Sequence, residues 1–278
     1  QLQIATDAGF TSIVVNQASL TTNSYAFSGL NYNTTYYWRV KAKANAGDES
    51  AFSSTFIFKT TVNAPILNTP TNNSFCVDLS GNLTWTAVAG ATAYEVQLAT
   101  DMAFQNVVGQ NLNNSTTSFA YTGLNNNTVY YWRVKAKNAD GAGDYSAVWS
   151  FTSVLPSPTL QSPANNSISV ATNGFMSWVS VTGATAYEVM LATTMEFTDG
   201  VIINDANVAT ATKAYAGLNN NTVYYWKVRA KNTNCTGPWS NTFNFETVLA
   251  APVLATPANN ALNIPVAGNV TWNAVNGA

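Results

Sequence analysis

The chain has 278 residues, 46% of them hydrophobic and 12% aromatic, but only 9% charged where an average soluble domain carries about 25%. Its 11 basic and 13 acidic residues leave a formal net charge of -2, without the basic footprint that neutralising nucleic-acid phosphates requires, so nucleic acid is excluded as an expected partner. No apolar run approaches the roughly 20 residues that span a bilayer, and Gln1 to Phe10 have neither the basic start nor the apolar core of a signal peptide. An export signal is expected upstream of this segment.

In chain order, the first conspicuous run is Tyr36-Tyr37-Trp38-Arg39-Val40. It recurs at Tyr130 to Val134 and Tyr224 to Val228, with Trp38, Trp132 and Trp226 each 94 residues apart. Trp85, Trp178 and Trp272 follow at spacings of 93 and 94, and Pro65, Pro158 and Pro252 repeat the same intervals. Such a period is too long for short helical repeats and matches one β-sandwich per repeat. Within a repeat, apolar residues alternate with polar ones. Leu83-Thr84-Trp85-Thr86-Ala87 is predicted as one strand and Tyr94 to Ala99 as the next, with Tyr94, Val96 and Leu98 on one face. Tyr130, Trp132, Val134 and Ala136 alternate with Tyr131, Arg133 and Lys135 in a third, and Gly- and Asn-rich turns such as Gly123 to Asn127 separate the runs. The predicted fold is all-β.

Trp85, the stretch Gly90-Ala-Thr-Ala-Tyr94-Glu-Val96, and Leu124-Asn-Asn-Asn-Thr128-Val-Tyr130 resemble the fibronectin type III pattern over the whole chain. The resemblance implies seven-stranded immunoglobulin-like sandwiches in an elongated tandem array. It also implies a tyrosine corner at Tyr36, Tyr130 and Tyr224, where a phenol ties the strand entry to nearby backbone. The wording, with Tyr-Trp-Arg-Val and a closing Trp149-Ser-Phe-Thr152, is closest to arrays in secreted and surface proteins of gliding and biofilm-forming bacteria; the third repeat departs from it, closing with Phe243-Asn-Phe-Glu246. The expected layout is a partial domain over 1–63 (the last five strands, C to G), complete domains over 64–156 and 157–250, and a partial domain over 251–278 (strands A and B). Linkers of about four residues containing Pro158 or Pro252 favour extended geometry, so each domain is expected to add roughly 35 Å to a semi-rigid rod.

Gln1 aligns with Glu95 and Ala278 with Ala91, so the two ends together lack only the residues matching Thr92, Ala93 and Tyr94. Each partial domain is expected to need completion. The completing strands come either from further repeats of a longer polypeptide or from another copy lending strands head to tail.

Catalysis finds little material: there is no histidine, no Gly-x-Ser-x-Gly elbow and no ligand cluster at metal spacing, and no cofactor is expected. Asp140-Gly-Ala-Gly-Asp144 can be read as a weak calcium loop, but the next repeat has Asn234-Cys-Thr-Gly-Pro238 there, and a solvated turn is the expectation. The stripe Tyr131, Arg133, Lys135, with its equivalents Tyr37, Arg39 and Tyr225, Lys227, is the candidate ligand surface, since tyrosine faces and donors suit a sugar ring. The structural alternative is cross-strand packing, with Glu95 opposite Arg133 and Glu188 opposite Lys227. Asn-x-Ser/Thr sequons at Asn82, Asn126, Asn220 and Asn269 fit turn geometry as well as glycosylation.

Cys76 and Cys235 exclude a disulfide framework and permit one bridge. In fibronectin type III topology Cys76 falls at the pole facing the following domain and Cys235 at the pole facing the preceding one. The resemblance therefore implies an inter-domain disulfide in an oxidising, extracellular setting, against free or intermolecular thiols. The expected function is a non-catalytic structural or adhesive component of an extracellular or cell-surface filament, with its own repeats or copies, and glycans, as the expected partners. The alternatives are a spacer or carbohydrate-binding array of a large secreted enzyme, and a subunit polymerising by strand complementation.

Overall fold

The computed structural model describes residues 1–44 and 47–275. They are built of strands and loops, with no helix among the described residues, and divide into two compact units: Gln1–Leu124 with Thr128–Thr152, and Asn125–Asn127 with the chain from Ser153 onward.

The first unit opens with a four-stranded sheet, β1 (Leu2–Ala5), β2 (Ile13–Gln17), β3 (Thr35–Val40) and β4 (Phe56–Lys59), in the order β2-β1-β3-β4. A complete sandwich follows: β5 (Leu67–Thr69), β6 (Ser74–Val77), β7 (Gly81–Trp85), β8 (Ala93–Ala99), β9 (Val107–Asn114), β10 (Ser118–Tyr121), β11 (Val129–Asn138), β12 (Gly141–Tyr145) and β13 (Trp149–Ser153). One of its sheets runs β10-β7-β5; the other runs β6-β13-β11-β8-β9, with β12 also against β11. Nine segments make seven strands because the first and last strands are each broken. The first switches sheets beyond the cis Thr69–Pro70 peptide. The last is interrupted at Ser146, whose buried hydroxyl accepts from the Val134 N–H at 3.1 Å and keeps that backbone donor satisfied.

The second unit repeats this order with β14 (Leu160–Ser162), β15 (Ser167–Val170), β16 (Gly174–Trp178), β17 (Ala186–Ala192), β18 (Val201–Val208), β19 (Thr212–Tyr215), β20 (Val223–Lys231), β21 (Thr236–Trp239) and β22 (Phe243–Thr247). A lone pair ends it, β23 (Leu254–Thr256) with β24 (Thr271–Trp272).

Alternation along β8 and β11 puts Val96, Leu98, Trp132, Val134 and Ala136 at 0 or 1% exposure, and the second sandwich buries Val189, Leu191, Trp226, Val228 and Ala230 completely. Each such large side chain contributes roughly 1.5–3 kcal/mol of transfer free energy. Aromatic geometry is copied as well. Trp85 meets Tyr94 edge-on at 5.4 Å and Trp178 meets Tyr187 at 5.2 Å, while Phe151 stacks between Tyr121 and Tyr130 as Phe245 packs between Tyr215 and Tyr224. The missing closing Trp of the third repeat is replaced in place, since Phe243 meets Trp226 at 6.0 Å and 88° where Trp149 meets Trp132 at 6.0 Å and 89°. Val62, which precedes β5, is 1% exposed and belongs to the core of the sandwich that follows it.

Two expectations change. Among the described residues, 1–63 form four strands rather than five: the run Ser24 to Phe27, equivalent to β10, is not a strand. In the complete sandwich β10 hydrogen-bonds β7 alone, and no described strand offers that edge to Ser24–Phe27. The cross-strand charge pairs are also displaced by two residues: Glu95 faces Lys135, not Arg133, and Glu188 faces Arg229, not Lys227. Register is set by the core pairs Val96 with Val134 and Leu98 with Trp132, and a two-residue shift leaves every side chain on its original face.

Candidate functional site

The stripe lies on the outer face of the larger sheet, where strand alternation sends Arg133 and Lys135 away from the core. Its cations are clamped between rings. The Arg133 guanidinium lies 4.0 Å from the Phe104 centroid and 3.9 Å from that of Tyr145, and its Nε and Nη2 both donate to Gln97 Oε1, at 2.9 and 2.7 Å. Arg39 repeats this between Phe10 (3.8 Å) and Phe52 (4.0 Å), with Nε donating to Gln3 Oε1 at 2.9 Å. Lys227 sits between Phe197 (4.1 Å) and Trp239 (4.8 Å). Contacts of this kind contribute about 0.5–1 kcal/mol where exposed and about 2 when desolvated.

One phenylalanine of each clamp, Phe10, Phe104 or Phe197, comes from a turn that the sequence pattern did not bring out. Phe10, Phe104 and Phe197 all have left-handed backbone, with φ of 56, 58 and 59°, uncommon for a bulky residue. Asp101 holds that geometry, its carboxylate accepting from the backbone N–H groups of Gln105 at 3.1 Å and Asn106 at 2.6 Å; Asp7 does the same for Thr11 at 3.0 Å and Ser12 at 2.7 Å. These hydrogen bonds hold both carboxyls below the usual carboxylate range. The signal was present in the sequence as Asp7-x-x-Phe10 and Asp101-x-x-Phe104, with Thr194, bonded to Asp199, ahead of Phe197.

A second layer of charge flanks the clamp. Glu95 accepts from the Tyr145 hydroxyl and pairs with Lys135 Nζ at 3.1 Å; burial pushes its pKa up, and these two partners outweigh burial, so the carboxyl lies below its usual range. Burial and the Glu95 hydrogen bond push the Tyr145 phenol up. In the second unit Arg229 donates to Glu188 at 2.8 and 3.0 Å, and burial together with neighbouring Arg229 lowers Lys227. Tyr37, Tyr131 and Tyr225 lie half-buried on the same faces. The structure thus brings the stripe residues together and packs two protein rings against each of Arg39 and Arg133, and one, Trp239, against Arg229.

The remaining predicted positions are structural in geometry. The Tyr36 hydroxyl accepts from the Asn31 N–H and the Tyr224 hydroxyl from the Asn219 N–H, both at 2.9 Å, and Tyr130 is 2% exposed at the equivalent place. Asp140 forms an ion pair with Lys59 at 2.7 Å, and among the described residues no group of three or more His, Cys, Asp or Glu could hold a metal. Asn33, Asn127 and Asn221 have φ of 46 to 49°, the left-handed turn geometry that asparagine tolerates. Cys76 lies half-buried on β6 with φ 60°, Cys235 is 8% exposed in the turn between β20 and β21, and neither is a free thiol.

A cleft of 320 Å³ in the first unit is lined by Tyr32, Asn33, Asn63, Ile66, Thr86 and Val88 among others. Asn33 packs so closely on Gly90 that a Cβ there would lie 1.9 Å from its Nδ2, and Gly90 has φ +78°, so glycine is required on both counts. The lining offers aliphatic and amide groups with one phenol and one threonine, and no carboxylate or amine for acid–base work.

Paired, mainly antiparallel sheets with a first strand that switches sheets, its second half β15 running parallel to β22, and a tyrosine-tied sixth define immunoglobulin-like β-sandwiches. The sequence profile of the fibronectin type III domain matches residues 69–152, the first complete sandwich, and the second repeats its strand order and core geometry. Residues 69–152 therefore form a fibronectin type III domain, and the second sandwich is its structural repeat in tandem. The chain is 34% identical over 167 residues to endoglucanase B of Cellulomonas fimi, covering 56% of this chain and 15% of that protein. It is 33% identical over 156 residues to chitinase A1 of Niallia circulans, covering 52% of this chain and 21% of that protein. The match therefore spans about a fifth or less of either relative. Among solved structures, the FN1–FN3 domains of chicken CNTN1 align over 79% of each chain at 19% identity with a TM-score of 0.35.

Proposed function

We propose that this chain is a non-catalytic structural array, exported from the cell, whose repeated sandwiches supply length and spacing. The observation that carries the reading is the aromatic clamp: in all three repeats the cation that could recognise a ligand is closed over by rings of its own domain, which makes the stripe a brace for the outer sheet.

The similarity to parts of an endoglucanase and a chitinase supports the setting of an accessory spacer in a large secreted carbohydrate-active enzyme. The filament component remains a second reading, supported by the regular repeat of similar cores every 93 to 94 residues. A Cys76–Cys235 disulfide is proposed on the sequence argument given above, and would fit an oxidising, extracellular location.

The test is co-sedimentation of the whole chain with microcrystalline cellulose and with chitin, alongside release of reducing sugar. The chain is expected to stay in the supernatant and release nothing. Retention that is lost in Arg133→Ala would overturn the spacer reading and make the stripe a carbohydrate site.

A further inference from the structure

The compact units do not break where the sequence repeat does. The second unit takes in Asn125–Asn127 and the chain from Ser153, segments that by sequence belong to the repeat before it. Hydrogen bonds fasten these two segments to each other. Ser153 Oγ donates to the Asn125 carbonyl at 2.6 Å, and the Asn126 side-chain amide and the Asn127 N–H both donate to the Val154 carbonyl at 3.0 Å. The same clasp is built again one repeat on. Thr247 Oγ1 donates to the Asn219 carbonyl at 2.6 Å, and Asn220 Nδ2 and the Asn221 N–H donate to the Val248 carbonyl at 2.9 and 3.0 Å. In the first unit Thr60 Oγ1 donates to the Asn31 carbonyl at 2.6 Å and the Asn33 N–H to the Thr61 carbonyl at 2.8 Å.

Both halves of the clasp are seated on glycines of the sandwich that follows. Leu155 is 0% exposed although it precedes β14, and a Cβ on Gly237 would lie 3.1 Å from its Cβ and from its carbonyl oxygen. The Asn127 amide donates to the Thr182 carbonyl at 3.3 Å, and a Cβ on Gly183 would lie 2.1 Å from its Nδ2. The first unit copies both seats. Val62 is 1% exposed with its carbonyl oxygen 2.2 Å from a Cβ on Gly143, and Asn33 Nδ2 lies 1.9 Å from a Cβ on Gly90. A buried aliphatic side chain and a close-packed amide therefore hold a loop and a linker that have no sheet of their own.

We propose that this clasp couples consecutive sandwiches energetically: it is made by one repeat and held in place by the fold of the next. Opening of the second sandwich then releases Asn125–Asn127 and exposes Leu155, and loss of the Leu155 side chain loosens the second sandwich in return, since such a coupling is reciprocal. The inference goes beyond the spacer reading and does not depend on it, because domains that open independently would space equally well.

The experiment is hydrogen exchange on the full chain. Met176→Ala removes a fully buried side chain from the second sandwich and lies outside the clasp. It should speed exchange in β17 and β20 at least about 30-fold. The coupled clasp should follow, with the Asn127 N–H exchanging at least about 5-fold faster while β8 and the first half of β11 keep the rates of the unsubstituted chain. Complete unfolding of the second sandwich reads out the same coupling, because the strands of the first complete sandwich report separately. In the reverse direction, Leu155→Ala should speed exchange in β20 and β21 at least about 10-fold, although Leu155 belongs to neither sheet. Two results overturn the proposal: an Asn127 N–H whose protection is unchanged while β17 and β20 open in Met176→Ala, or β20 and β21 exchanging at the unsubstituted rate in Leu155→Ala.

Discussion

Replacing Gly174 by alanine would place a methyl group 2.8 Å from the Tyr215 hydroxyl oxygen and 3.1 Å from its ring Cζ. Backbone strain is not the issue, because Gly174 sits in β16 without a left-handed φ, and alanine there gains roughly 0.5–1 kcal/mol over glycine by restricting the unfolded chain. The ring is 6% exposed and packed 5.7 Å from Phe245, so it cannot swing aside freely, and overpacking of this kind costs about 1–3 kcal/mol. The expected net is a loss of about 1–2 kcal/mol confined to the second sandwich. Urea titration of the whole chain, with hydrogen exchange read on peptides from β16 and β19, measures it locally. Tyr215→Phe removes the crowded oxygen, as Phe27 does naturally in the first repeat, and should recover about 1 kcal/mol in the double variant. Gly268→Ala, with open space around it, should cost nothing in the isolated chain. A neutral Gly174→Ala, or a loss that Tyr215→Phe leaves unchanged, would refute the reasoning.

Tyr224→Phe deletes the bond to the Asn219 N–H, and because Asn219 is exposed and can turn to water, the expected loss is about 1 kcal/mol in the same local exchange assay. Asp101→Ala frees the N–H groups of Gln105 and Asn106 and lets Phe104 leave its left-handed geometry; exchange at 104–106 should become roughly 5-fold faster without any change in the second unit. The side-chain hydrogen bonds from Lys41 and Lys43 lower Glu49 from 4.5 to about 2, so its ion pairs stabilise the folded chain above about pH 4.5 and that contribution is lost as pH falls through about 2; an NMR titration of the Glu49 carboxyl showing an ordinary midpoint would contradict this. For the proposed disulfide, peptide mapping without reductant should recover Cys76 and Cys235 in one linked fragment, and alkylation of both thiols in unreduced protein would exclude it.

Much of the fold was legible because its determinants are local. The alternation of Tyr94, Val96 and Leu98 and the 94-residue return of Trp38, Trp132 and Trp226 announced repeated half-buried strands, and asparagine before threonine announced the left-handed turns at Asn33, Asn127 and Asn221. The candidate stripe was located on the correct face for the same reason. Its aromatic covers were not, since Phe104 comes from 29 positions before Arg133 and Tyr145 from 12 after it, and only folding brings those rings to 4.0 and 3.9 Å.

The sequence by itself determined the period, the all-β class, the faces of the strands and the scarcity of catalytic groups, because side-chain alternation and turn chemistry act between neighbours along the chain. Tertiary structure alone decided that Glu95 meets Lys135 and not Arg133, that Ser24–Phe27 is not a strand while its counterpart Ser118–Tyr121 is one, and that Arg39 and Arg133 each lie against two rings. Each of these depends on which distant strand lies alongside and in what register. That choice is made by closing the core around Trp132 and Val134, and a two-residue slip that local alternation cannot detect is settled there by which large side chains fit opposite one another.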